Sequence, residues 1–262
     1  MSEATLDKPF NDFVTSVIPL YSGPQVTVRI GSTSREYKLS KALLCNQSPY
    51  FKATFEGNFQ EGKEQSTTLK EEDGIVSIQS FELLVQWLYL GRVILGDSTP
   101  TDSITAIVEF VKIADMCGVT GMEGTMAEQI KTIILADPAH RYPLDSNTYC
   151  LNSNHIVSAA GLPDGHPVRK VLAAAVAGEF FRADNHKFSK EVKEVASFAS
   201  DLLEAIRDTL KSHKIGSYSI YVKKKTIEKE VMQCCCGKKQ VQSSSIVVGL
   251  RAVPAPITVL IT

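Results

Sequence analysis

Between Ile78 and Leu90, Phe81, Leu84, Val85 and Leu88 recur at i, i+3, i+4 and i+7, while Leu83, Trp87 and Leu90 widen the apolar surface. A helix apolar over so much of its circumference must be nearly surrounded by protein. Each large side chain it buries contributes about 1.5–3 kcal/mol. The pattern therefore predicts a central helix around which a domain is built, with Gly91 at the left-handed position that ends it.

Upstream, Gln25 to Ile30 alternates, Val26, Val28 and Ile30 on one face and Thr27 and Arg29 on the other, as a half-buried strand does. Gly31 to Ser34 supplies turn residues. Arg35 to Leu39 resumes the alternation, so the two runs read as a hairpin. Lys41 to Cys45 is a short helical stretch, and Ser48-Pro49 is an N-cap and first-turn pair for a second helix carrying Tyr50, Phe51 and Phe55. Ser66 to Leu69 reads as a third strand, followed by the solvated acidic turn Glu71-Glu72-Asp73-Gly74.

After the central helix, helices are expected over Ile104–Cys117, with Gly118 past its end, and over Met122–Ala136. Pro138 and Pro143 interrupt the periodicity, which makes residues 137–152 the expected linker. Beyond it, Asn154–Ala160, His166–Phe181 and Lys190–Ser212 read as helices, the last with Val192, Val195, Ala199, Leu203, Ile206 and Leu210 on one face. The 262 residues thus divide into an N-terminal segment (1–24), an α+β domain (25–136), a linker (137–152), an all-helical annex (153–213) and a tail (214–262).

The run from Tyr37 to Phe55, with Ser48-Pro49-Tyr50-Phe51 at its centre, resembles the signature segment of BTB/POZ domains, and Phe81 to Val93 resembles the central helix and following strand of that family in its fungal form. The resemblance covers roughly Gln25 to Ala136. It implies a BTB/POZ fold, a small sheet flanked by a helical cluster, in a protein-interaction module with no catalytic activity and no cofactor. Gly165-His166-Pro167-Val168-Arg169 also resembles the helical extension that comes after the domain in those fungal proteins.

The resemblance implies three groups of binding residues. Phe59-Gln60-Glu61 matches the hydrophobic-x-Glu element with which some BTB adaptors of ubiquitin ligases contact cullin-3. Phe10, Phe13, Val14 and Val17 form a helical stripe ahead of the first strand. Family members often dimerise through such N-terminal elements, which implies a homodimer, with packing of the stripe on its own domain as the other possibility. Gln25 and Lys41 occupy the groove position where many animal BTB dimers carry an aspartate and a His-Lys or His-Arg pair. Gln25 leaves Lys41 without the expected acidic partner. A homodimeric scaffold or transcription-linked protein without a ligase role is the alternative to the adaptor.

Other chemistry finds little footing. Gly57 to Glu64 approaches a phosphate-binding loop, but Glu64 replaces the magnesium-binding hydroxyl and Glu61 would repel phosphate. Cys234-Cys235-Cys236 is contiguous, whereas zinc ligands are spaced, and the five histidines lack a ligating context. Cys45, Cys117 and Cys150 stand alone, as reduced core thiols do. A net charge of −1 gives no field to draw the chain to nucleic acid. The apolar runs are too short to span a bilayer. With Glu3, Asp7 and Asp12 in place of a signal pattern, the cytoplasm or nucleus is the expected location. The tail holds seven Lys/Arg against two Glu from Gly216 onward, densest at Lys223-Lys224-Lys225, a composition suited to a solvated basic tail.

Overall fold

A computed structural model describes residues 17–31, 35–136, 148–180 and 186–212. Of these, the residues up to Asp208 cluster as one compact unit. Phe10, Phe13, Val14, the stretch 137–147, Lys223-Lys224-Lys225 and Cys234-Cys235-Cys236 lie outside the described residues.

The unit starts with a short helix, α1 (Ile18–Ser22), and a three-stranded sheet in the order β2-β1-β3. The central strand β1 (Gln25–Ile30) runs antiparallel to β2 (Glu36–Ser40) and parallel to β3 (Ser66–Leu69). The alternation read from the sequence is the burial pattern found: Val26, Val28 and Ile30 face the core, and Thr27 and Arg29 are half-buried. The parallel pairing requires a crossover, supplied by α2 (Lys41–Gln47), α3 (Pro49–Glu56) and α4 (Gln60–Glu64). Ser48 caps α3 by accepting the Phe51 N–H at 3.2 Å, and its own hydroxyl donates to the Cys117 carbonyl at 2.6 Å.

The central helix, α5 (Ile78–Leu90), has the predicted bounds, started by a Ser77 capping box and ended by Gly91 at φ 65°. Phe81, Leu84, Trp87 and Leu88 are buried in the core, but Leu90 is 49% exposed. The helix reaches the unit's surface at its last turn, so it is less enclosed than its composition suggests. The strand expected near Val93 is also absent. The Ile94 N–H is taken by the Gln86 side-chain oxygen at 2.7 Å, which removes a donor that a ladder would need.

Helix α6 (Pro100–Met116) starts a turn before the expected Ile104, because Thr99 accepts the Asp102 N–H at 3.1 Å and Pro100 occupies the first turn. Past its end, Gly118 adopts φ +66°, and an added Cβ would lie 3.1 Å from the Pro49 ring. Gly118→Ala should cost about 1–2 kcal/mol from the left-handed backbone alone, visible as a lowered urea midpoint with unchanged far-ultraviolet circular dichroism.

Helix α7 (Glu123–Leu135) completes this part. The annex consists of α8 (Ser153–Ala159), α9 (Pro167–Phe180), α10 (Ser189–Glu194) and α11 (Ala196–Ser212). The single helix expected over Lys190–Ser212 is broken at Val195, which is extended at φ −113°, ψ 90°, and the break lets both Phe188 and Phe198 enter the core. Helix α8 packs on α6 and α9 on α7, and one buried cluster runs from Val26 to Leu202.

Two buried polar residues fasten the annex. Arg169 on α9 is 4% exposed; its Nε and Nη2 donate to the two Asp201 oxygens of α11 at 2.8 and 3.0 Å, and its Nη1 donates to the Leu162 carbonyl and Asp164, both at 2.8 Å. His155 on α8 is 1% exposed, with Nδ1 accepting the Asn152 N–H at 3.2 Å and Nε2 lying 2.8 Å from Thr105 Oγ1 on α6.

Candidate protein-interaction surface

The segment after α3 folds back sharply. An added Cβ at Gly57 would collide with the Ala53 carbonyl, and one at Gly62 would lie 2.5 Å from the Gly57 carbonyl and 3.3 Å from the Thr54 carbonyl. Only glycines permit this close approach, so α4 sits against the carbonyl end of α3. Phe59 occupies the N-cap of α4, and the Lys63 N–H reaches back to its carbonyl at 3.4 Å. Phenylalanine offers no oxygen to the helix's free N–H groups, and no side-chain cap forms.

Phe59 is 65% exposed while Phe55 is buried, and the Phe59 ring lies against Gly57, where an added Cβ would come within 3.1 Å of its Cδ2. Glu61, in the first turn of α4, is also exposed, and Gln60 Nε2 donates to Glu64 Oε1 at 2.6 Å, turning the Gln60 amide along the helix. Beside them on α3 stands Tyr50. Burial pushes its phenol above the ordinary range. Tyr50 and Met116 are both partly exposed. Burial raises the Cys117 thiol to about 12, so it stays protonated and unreactive.

The helix closes on Gln65, at φ 52° and ψ 37°, whose N–H donates to the Glu61 carbonyl. Gln65 Nε2 donates to the Phe55 carbonyl at 3.3 Å and to the Gly62 carbonyl, and its own carbonyl accepts the Thr27 N–H of β1 at 3.0 Å. Nothing in the sequence marks this residue, because a left-handed C-cap is ordinarily signalled by Gly or Asn.

The other expected residues lie elsewhere. Gln25 faces Ser40 across the first pair of the hairpin, and the Lys41 N–H donates to the Pro24 carbonyl at 2.9 Å, so Gln25 and the start of α2 are adjacent. Gln25 is exposed and Lys41 half-buried. Val17 is fully buried within its own unit. Just after it, α1 is held by Tyr21, which donates to the Tyr89 carbonyl at 2.9 Å, and by Ser40 Oγ, which donates to the Leu20 carbonyl at 2.5 Å. Among the described residues, no group of three or more His, Cys, Asp or Glu is placed to hold a metal ion, and no helix is long and apolar enough to cross a membrane.

The family model of the BTB/POZ domain matches residues 22–123. Two human proteins, Kelch repeat and BTB domain-containing protein 7 and Kelch repeat and BTB domain-containing protein 6, are each 32% identical to this chain over 87 residues. The matched stretch is 33% of this chain and 11% of each relative, so the chain spans about a tenth of their length. Both being human, they do not bear on the fungal form expected from the sequence.

Proposed function

Residues 22–123 being a BTB/POZ domain, a protein–protein interaction module, we propose that this chain is an adaptor that offers Phe59, Gln60 and Glu61 to cullin-3 and its helical annex to a target protein. One observation carries the reading. A phenylalanine sits at a helix N-cap where its side chain makes no capping hydrogen bond, and it is largely exposed two residues from an exposed carboxylate. A local rule broken at an exposed position is a feature expected of functional sites. An exposed aromatic beside a fixed charge supplies apolar area and direction together, the composition of an interface hot spot. The residues also match the hydrophobic-x-Glu element of BTB adaptors.

The test is titration calorimetry of the full chain against the amino-terminal domain of the host's cullin-3. Phe59→Ala and Glu61→Lys should each weaken binding at least about tenfold, equivalent to about 1.4 kcal/mol, with no loss of circular dichroism, since both side chains are exposed. Wild-type protein that shows no binding, or variants that bind as well as wild type, would sink the reading.

A homodimeric scaffold is the second reading, favoured by the exposed apolar side chains of Ile18 and Tyr21 on α1 and of Leu90, next to the Tyr89 that Tyr21 contacts. Light scattering at micromolar concentration distinguishes it: a monomer mass removes the dimer.

A further inference from the structure

We propose that Gln65 is the positioning residue of the Phe59–Glu61 surface, an assignment that rests on the cullin reading above. Among the described residues it is the one non-glycine with positive φ. A side chain in the left-handed region costs free energy that glycine would avoid, and such outliers collect at ligand-contacting segments. What glycine lacks is the side-chain amide.

Through Nε2, Gln65 bridges the Phe55 carbonyl, at the end of α3, and the Gly62 carbonyl inside α4. Both belong to a stretch whose carbonyls would otherwise point away from partners, as they do at helix ends. Through its backbone, the same residue joins the Glu61 carbonyl to Thr27 of β1. A helix of five residues has no stability of its own. Gly57 and Gly62 let it approach α3, and the ties of Gln65 to α3 and β1 then fix its direction, and with it the direction of the Phe59 ring and the Glu61 carboxylate. Gln65 acts through Phe59 and Glu61 and need not touch the partner.

The experiment compares Gln65→Gly, which relieves the backbone and deletes the amide, with Gln65→Glu, which keeps the side chain's length but replaces its N–H donors with oxygens. Phe59→Ala serves as the surface control. Affinity for the amino-terminal domain of cullin-3 is measured by calorimetry, and amide hydrogen exchange of the free full-length protein by mass spectrometry. Both Gln65 variants should weaken binding about tenfold and speed exchange over residues 60–65, while α5 and α6 exchange as in wild type. Loss of affinity in Phe59→Ala with unchanged affinity in Gln65→Gly and Gln65→Glu overturns the assignment and leaves the cullin reading standing. Faster exchange throughout the domain shows a general structural role and overturns it too. A wild-type chain that does not bind overturns both.

Discussion

Arg169→Ala should lower the free energy of unfolding by about 3–5 kcal/mol, a large part of the 5–15 kcal/mol that holds a typical domain folded. The magnitude comes from the groups that the substitution strands. Asp201 would lose both bonds that engage its carboxylate, and the Leu162 carbonyl would lose its donor in a buried setting. Arg169→Lys should also destabilise, since a single ammonium cannot span Asp201, Asp164 and the Leu162 carbonyl as the planar fork does. The paired replacement Arg169→Met with Asp201→Leu removes the stranded charge and should recover much of the loss. Urea titration followed by the emission of Trp87, the chain's one tryptophan, reads all three. Equal stability of Arg169→Ala and wild type would show that the buried ion pair does not hold the annex.

Acidification should loosen the same region through His155. Its Nδ1 accepts an N–H, and the Thr105 hydroxyl donates to the Thr101 carbonyl at 3.1 Å, so the imidazole proton sits on Nε2 and the ring is neutral. Burial pushes its pKa from 6.5 down to about 4. The folded chain then binds fewer protons than the unfolded chain between these values. This contribution to stability is complete above the unfolded value and is lost as pH falls from about 6.5 towards 4. At about 1.36 kcal/mol per unit, the loss approaches 3 kcal/mol. His166, also lowered by burial, acts in the same direction. His155→Gln should be less stable near neutral pH yet show a shallower decline on acidification. Parallel urea midpoints for the two proteins across that range would contradict the buried neutral imidazole.

Much of the fold was legible because its cues are local. The alternation of Val26, Val28 and Ile30, the Ser48-Pro49 start and the Ile78–Leu90 helix with its glycine stop each depend on neighbours a few residues away. The Thr99-Pro100 start of α6 carries the same local signal as Ser48-Pro49, and Asn152 with His155 forms a further capping pair. Distant groups decided the features that could not be read locally. Helix α4 exists because Gln65 and two close glycines hold it, and the break at Val195 serves a core shared with Phe188 and Phe198. At the proposed interaction surface, the family resemblance pointed to Phe59 and Glu61, but an isolated aromatic reads the same whether buried or exposed. Arg169 gave no hint of Asp201, 32 residues away.

The parallel pairing of β1 with β3 has a kinetic consequence. Ile30 and Leu69 meet only after the whole crossover has been gathered in, and such a closure is entropically costly and slow compared with forming the β1–β2 hairpin. Gln65 and the Phe59–Glu61 turn lie inside that closing segment, immediately before β3. A nascent or partly unfolded chain therefore lacks the oriented turn even though it already contains the motif, and the proposed competence to engage cullin-3 would arrive together with the completed sheet.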